Sequence, residues 1–496
     1  MEWNETLNQV NIRTCLLGLL IFILLFWFLR RPKKFKCTPG PWGWPLLGNI
    51  PQLAMMKLPS YEAITEMGHR YGPVFSFKVF NQLFVVLQDF DHTKEALDQH
   101  QLSGRPEFEI SQLTNPGKGV LSAYGSPWIE LRKFSSTKLR SLGMGKNTFE
   151  QQIASEAAYL LQEIRKKGAQ SFDPKKILGN AVANVICFLV FGSRFEYNDV
   201  RFTGLIKAIG NSIENSGIAG VVQFLPIVSK LTFLPVVKKH IENDKAFQRM
   251  LRNLLRDHAE GYQFGVARDY TDAFRDAIEV KAQKGEQTAL NSTSLFYSVS
   301  ELFAAGTETM TTTFRWALLY MIAYPDIQSR VQQEMDRVVG RNRLPRWLDK
   351  PSLPYTEAVL CEIQRVAIVP LGLPHKCLQD TTVAGYHIPE GAIILINMWH
   401  ILHDPNEWTN PMAFRPDRFL DSDGKFVRPE KFIPFGLGRR VCLGKHLAKM
   451  ELFIIFSSLL HQFTFKTPEG ADVSFKSHEG LTHSPQPFEV IAIPRE

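Results

Sequence analysis

The chain has 496 residues, 45% hydrophobic and 21% charged, with no internal repeat or long low-complexity stretch, a globular composition with ample apolar content for a large core. Its six cysteines (Cys15, Cys37, Cys187, Cys361, Cys377 and Cys442) form no C-x-x-C pair and no zinc spacing, and they are too sparse for a disulfide framework, so a reducing compartment fits best. The net charge of +8, without a nucleic-acid-binding motif, points to a membrane or an acidic partner.

Residues 14–29, from Thr14 to Leu29, carry no charge. The run is slightly short for a spanning helix, but a thin bilayer such as that of the endoplasmic reticulum and snorkelling basic flanks still permit a span. Arg30, Arg31, Lys33, Lys34 and Lys36 follow, whereas Glu2 and Glu5 precede it with only Arg13 nearby. The positive-inside rule places the basic side, and the body after it, in the cytosol. A cleaved signal peptide is the alternative; the run is long for one and no small-residue cleavage site follows it. Residues 1–36 are therefore expected to be an anchor with its basic flank. Residues 37–49, containing Thr38-Pro39-Gly40-Pro41-Trp42-Gly43-Trp44-Pro45, are expected to be a stiff proline-rich spacer. Residues 50–496 form the body.

In the body, Pro73–Val79 and Leu83–Leu87 predict a small hairpin, and much of 150–340 has helical apolar spacing. Apolar segments at Val221–Leu225 and Leu231–Val237, each closed by lysine, suit either a second membrane contact or core. Trp128 and Arg132, four apart, share a helix face. Residues 294–321 form a long, largely apolar run that contains Ala304-Ala305-Gly306-Thr307-Glu308-Thr309. An acid beside a hydroxyl in such a helix is costly unless paired or functional. Gly306 weakens the helix and Thr309 is able to bond back to a carbonyl one turn earlier, which together would open a local pocket. Glu362 and Arg365, three apart, also share a face, and Phe414-Arg415-Pro416-Asp417-Arg418-Phe419 lies further on.

The strongest pattern is Phe435-Gly436-Leu437-Gly438-Arg439-Arg440-Val441-Cys442-Leu443-Gly444, followed by a helical stretch from Lys445. Cys442 thus stands at a loop-to-helix junction, where free backbone N–H groups and the positive helix end favour a thiolate. The three glycines permit tight turning and close approach to a flat cofactor. Phe435 is placed to cover the sulfur, and Arg440 to meet an anionic group. A lone buried cysteine is more often inert; the combined pattern Phe-x-x-Gly-x-Arg-x-Cys-x-Gly is far more specific.

This decapeptide resembles the haem-binding signature of the cytochrome P-450 family, whose iron is held by a cysteine thiolate. Anchor, hinge and motifs follow the family's order over nearly the whole chain, in the style of its microsomal family-two members. The resemblance implies a mainly α fold with small β-sheets, preceded by one N-terminal transmembrane helix. It implies haem b (iron protoporphyrin IX) with Cys442 as the metal ligand. Ala305, Glu308 and Thr309 would face the iron, with Thr309 stabilising iron-bound peroxide and Glu308 helping to relay protons. Arg105, Trp128, Arg132, His375 and Arg440 would be cofactor contacts, chiefly to the propionates. Glu362, Arg365 and Arg415 would form a buried structural network. Met310 and Asp417 depart from the commoner hydroxyl residue and glutamate.

The implied activity is monooxygenation of a lipophilic substrate in the endoplasmic reticulum membrane. Electrons would come from NADPH–cytochrome P-450 reductase, with cytochrome b5 as a second donor. Lys133, Lys138, Arg140, Arg439, Lys445 and Lys449 are expected on the docking face. The substrate would lie among parts of 106–122, Ala304, Ala305, residues near Val369–Leu373, and the Gly480-Leu481-Thr482 turn. Two other readings remain: a reductase-independent haem-thiolate isomerase or dehydratase, and a non-enzymatic membrane haem protein.

Overall fold

The computed structural model describes residues 12–29, 35–107, 114–143, 147–214, 233–369, 372–480 and 482–496. Helix α1 (Ile12–Leu29) covers the expected span. Its 18 residues rise about 27 Å at the usual helical pitch, close to the thickness of a thin bilayer. The side chains from Thr14 to Leu24 are exposed. The equally long, apolar helix Pro174–Phe191 is instead 83% buried and belongs to the core. Arg30, Arg31, Lys33 and Lys34 lie outside the described residues, as does 215–232, which holds most of the second apolar region. Of that region's remainder, Phe233 is 72% exposed and Val237 is buried.

The proline-rich segment is docked on the body instead of standing clear of it. Ser76 N–H donates to Pro39 O (2.7 Å), Thr38 Oγ1 to Ser76 Oγ (2.7 Å), and Gln52 Nε2 to Trp42 O (2.7 Å). A Cβ on Gly40 would stand 1.8 Å from Ser76 O. Only glycine permits that approach.

The body continues with α2 (Ile50–Met56), α3 (Ser60–Tyr71), β1 (Val74–Val79), β2 (Gln82–Leu87) and α4 (Phe90–Asp98). Next come α5 (Gly125–Ser141), α6 (Asn147–Arg165), α7 (Pro174–Phe191), α8 (Val200–Glu214), α9 (Pro235–Ala259) and α10 (Tyr270–Gln283). The C-terminal half holds α11 (Ser292–Ala323), α12 (Pro325–Val338), α13 (Pro354–Ala367), β3 (His375–Lys376), β4 (Thr381–Val383), β5 (Tyr386–Ile388), β6 (Ile393–Ile396) and α14 (Met398–His403). Helix α15 (Lys445–Gln462), β7 (Phe463–Lys466), β8 (Ser477–Glu479), β9 (His483–Pro485) and β10 (Ile491–Pro494) close the chain. The predicted hairpin is β1–β2, extended by β6 and β3 into a four-stranded sheet; the other sheets are two-stranded.

Helix α11 starts at a reciprocal capping box between Asn291 and Ser294 and stops before Pro325, which no helix interior tolerates well. It runs unbroken for 32 residues. Gly306 lets it pack tightly on α7, since a Cβ there would meet Ile186 Cδ1 at 2.5 Å. Helix α7 is buried on nearly all faces and, with α6, α11 and α15, forms the main core.

The predicted ion network exists with one member changed. Arg365 grips Glu362 with two bonds, Nε to Oε2 at 2.7 Å and an Nη to Oε1 at 2.9 Å, and both residues are fully buried. The second guanidinium comes from Arg418, whose Nε donates to Glu362 Oε1 (3.0 Å). Arg415 contributes only its backbone N–H (2.8 Å), and its side chain is exposed. Arg415 is the N-cap of the 3-10 turn Pro416–Phe419, with φ −133° and ψ 85°, so its side chain does not follow the turn's stacking of every third residue, and Arg418 inside the turn is the one directed at Glu362. Asp417 pairs outside with Arg330 (2.9 Å).

Candidate active site

Between α11 and the turn before α15 lies a cavity of about 320 Å³. The loop from Phe435 reaches Cys442 through two left-handed glycines, Gly436 (φ 72°) and Gly438 (φ 65°). A Cβ on Gly438 would stand 2.4 Å from Leu97 O of α4, so this turn fits its neighbour only without a side chain. The Cys442 N–H donates to Phe435 O (3.0 Å), closing the loop. Cys442 is exposed, and the space it meets is the cavity, whose wall it shares with Phe435 and Gly444. Gly444 has open space where a Cβ would project. Burial among protein atoms raises the Cys442 thiol, opposed by the N–H groups of Gly444 and Lys445 and by the charges of Arg132 and Lys445. These opposing groups are what a sulfur anion needs.

A cationic edge adjoins the sulfur. Arg105, Arg132, His375 and Arg440 all line the cavity. Burial, then mutual repulsion, lowers Arg440 to about 8, while burial lowers Arg105 to about 10. Trp128 stacks under Arg440, the guanidinium carbon 3.8 Å from the ring centroid. Its Nε1–H is buried and unpaired, as is Nε–H of Arg105. Arg440 donates to the carbonyls of Ser103 (2.9 Å), Leu121 (3.3 Å) and Ala123 (2.7 Å), and Arg132 to Val441 O. His375 Nδ1 bonds Leu102 O (2.9 Å), so that nitrogen carries the hydrogen. Burial and Arg105 hold the ring's pKa near about 3. Crowded cations and unpaired buried donors call for an anion. A planar cofactor with two carboxylates fits them.

On the opposite wall, α11 presents Ala305, Gly306 and Thr309. Thr309 Oγ1 donates to Ala305 O one turn back (2.7 Å), as its sequence position suggested. Glu308 is buried beside Thr312 (3.3 Å), but it is not among the residues that line the cavity. Ala304 packs into the main core. Of the predicted substrate lining, Val120, Leu121, Val369, Gly372 and Leu373 reach the wall; residues 108–113, 370–371 and 481 lie outside the described residues.

Two acids on the wall escaped the sequence reading, Glu301 and Glu451. Glu451, in α15, is fully buried with both carboxyl oxygens unpaired, and burial raises its pKa well above the ordinary range. Both stand in apolar helical stretches, the same signal that singled out Glu308.

The cytochrome P450 family model matches residues 38–492. Bovine (Bos taurus) cytochrome P450 2U1 is 36% identical over 492 residues, covering 94% of this chain and 90% of its own. Human (Homo sapiens) cytochrome P450 2J2 is 37% identical over 494 residues, covering 98% and 97%. Rat (Rattus norvegicus) cytochrome P450 2D4 is 37% identical over 488 residues, covering 96% and 97%. Cavity, loop and full-length similarity agree: the chain belongs to the cytochrome P450 family, is a haem-thiolate monooxygenase, and takes iron protoporphyrin IX as its cofactor.

Proposed function

We propose that Cys442 is the iron ligand and that the enzyme oxygenates a lipophilic substrate held against Ala305 and Thr309. The observation that carries this reading is the facing of the two walls: the cysteine loop on one side, α11 on the other, and unpaired cationic and N–H donors along a third edge. Bound haem supplies dioxygen activation, with the thiolate's electron donation favouring O–O cleavage. One oxygen atom enters the substrate; the other leaves as water, consuming two electrons and two protons.

The chain's own residues position and protonate. Arg105, Arg132, Arg440 and Trp128 Nε1–H hold the cofactor's carboxylates by charge-assisted bonds. A carboxylate at His375 favours the protonated ring, whose Nε2 then becomes a donor. The Thr309 hydroxyl, already tied to Ala305 O, passes hydrogen bonds between cavity and helix. Glu308 contributes from behind the wall. Phe435 excludes water from one face of the sulfur. The apolar wall residues Val120, Leu121, Val369 and Leu373 suit an apolar substrate.

A flavoprotein reductase using NADPH is the proposed electron source, with cytochrome b5 as an auxiliary. Lys133, Arg140 and Arg439 are exposed, and Lys138, Lys445 and Lys449 half-buried, on the elements flanking the cysteine loop. They supply the steering charge that an acidic partner requires. Helix α1 supports an anchor in the endoplasmic reticulum membrane with a cytosolic body. The test is the absorption of the reduced, carbon-monoxide-bound protein. We expect a band far to the red of a histidine-ligated haem, lost in Cys442→Ala; retention of that band in the variant would refute the assignment. Lipid screening with reductase and NADPH then separates oxygenation from reductase-independent isomerisation, which proceeds without NADPH.

A further inference from the structure

Glu301 sits on α11 one turn before Ala305, 8% exposed, on the cavity wall. Its carboxylate faces the loop that precedes α5. Oε2 accepts from Leu121 N–H (2.6 Å), and Oε1 accepts from Asn115 Nδ2 (3.1 Å) and from the Ser122 hydroxyl. A Cβ on Gly119 would meet Oε2 at 2.2 Å, so the loop backbone passes directly over the carboxylate. The same loop carries the carbonyls of Leu121 and Ala123, which accept from Arg440 at 3.3 and 2.7 Å. A chain of hydrogen bonds therefore runs from α11 through the loop backbone to the arginine two residues before Cys442. Its far end is bolted separately: Thr114 Oγ1 donates to Asp244 Oδ2 of α9 (2.8 Å), and Gln248 Nε2 to Thr114 O.

We propose that Glu301 is a positioning residue that clamps loop 115–123 over the cavity and, through the Leu121 and Ala123 carbonyls, aims Arg440 at the cofactor's acidic edge. This rests on the haem reading above. Three donors converge on an acid that touches no reacting atom. A buried carboxylate with three hydrogen bonds is a costly feature unless what it holds matters. Here it holds one wall of the cavity, Leu121 included, and the direction of one cation. The clamp also explains Gly119, because a methyl there would force the carboxylate off the Leu121 N–H.

The test compares Glu301→Leu with Glu301→Gln in the full-length holoprotein. Leucine offers no acceptor. Glutamine keeps an oxygen for Leu121 N–H and an N–H for Ser122 Oγ, and loses only the bond from Asn115 Nδ2. Haem transfer to excess apomyoglobin should run about tenfold faster in Glu301→Leu, the size expected for one lost hydrogen bond to a charged group. The haem propionate bending bands in resonance Raman should shift, with the reduced carbon-monoxide band unmoved. Glu301→Gln should restore the transfer rate to within about twofold of the unsubstituted protein, since the bond to Leu121 N–H that orients the loop backbone survives. Unchanged Raman bands and transfer rate in Glu301→Leu overturn the proposal, and so does a glutamine variant as defective as leucine. If the leucine chain does not fold, the pair Asn115→Ala and Ser122→Ala, which removes two of the three donors, should move both readouts in the same direction; no movement overturns it. Failure of the unsubstituted chain to give the red-shifted carbon-monoxide band would instead strike the haem reading itself.

Discussion

Replacing Arg415, Arg418 and Glu362 in turn separates a side-chain network from a backbone one. Glu362 Oε1 receives three donors, from Arg365, Arg418 and the Arg415 backbone, while Oε2 receives the Arg365 Nε. In Glu362→Gln the oxygen could keep three of these bonds, but its NH2 would face a guanidinium N–H. Arg365, fully buried, would then lack a counter-charge, a change that costs about 3–5 kcal/mol when a buried pair is broken. Arg418→Ala removes the bond to Glu362 together with those to the carbonyls of Thr409, Asn410 and Ala413, at least about 1.5–3 kcal/mol. Arg415→Ala leaves its backbone N–H in place and alters an exposed side chain, so its effect stays within about 0.5 kcal/mol. Unfolding entropy is about 2.1 cal/mol/K per residue, so a body of roughly 450 residues gives about 1 °C per kcal/mol. We expect midpoint losses of about 3–5 °C, at least about 2 °C and under about 1 °C respectively. Tryptophan fluorescence melts of the three holoproteins at one scan rate measure them. An Arg415→Ala loss equal to that of Arg418→Ala would refute the backbone assignment.

Thr309→Ala should leave the carbon-monoxide band in place while product formed per NADPH falls by about tenfold or more, the scale of a lost proton-transfer group; oxygen-electrode and peroxide assays run together check this. Gly438→Ala places a Cβ 2.4 Å from Leu97 O at a φ of 65°, so it should abolish haem retention where Gly444→Ala, at ordinary φ, leaves the protein folded. Burial, then the Arg365 charge, lowers His403 to about 3. It is neutral in the fold while the unfolded chain's histidine takes a proton below about 6.5, so its stabilising contribution is complete above that pH and is lost as pH falls towards 3. Between pH 6.5 and 5 the unsubstituted protein should lose about 2 kcal/mol more than His403→Gln, read from urea midpoints at each pH.

Much of the architecture was legible in the residues themselves. An uncharged apolar run gave α1 and a long, largely apolar one gave α11; two short apolar runs separated by a short turn gave β1–β2; the glycine spacing around Cys442 marked a turn at a helix start. Each of these depends on contacts within a few residues, so local sequence carries it. The Thr309 hydroxyl bond to Ala305 follows from helical pitch alone.

Tertiary structure decided what distant segments do to one another. Arg415 and Arg418 are both plausible partners for Glu362, and only the turn between them selects which guanidinium enters the core. The proline-rich segment is stiff by composition, yet its docking on β1 depends on Ser76 lying opposite Pro39. Glu308 and Glu301 are equally anomalous acids in one apolar helix; the helical phase relative to the cavity puts Glu301 on the wall and Glu308 behind it. Spacing along a chain fixes which side chains share a face, but what that face meets is set by the packing of elements hundreds of residues apart.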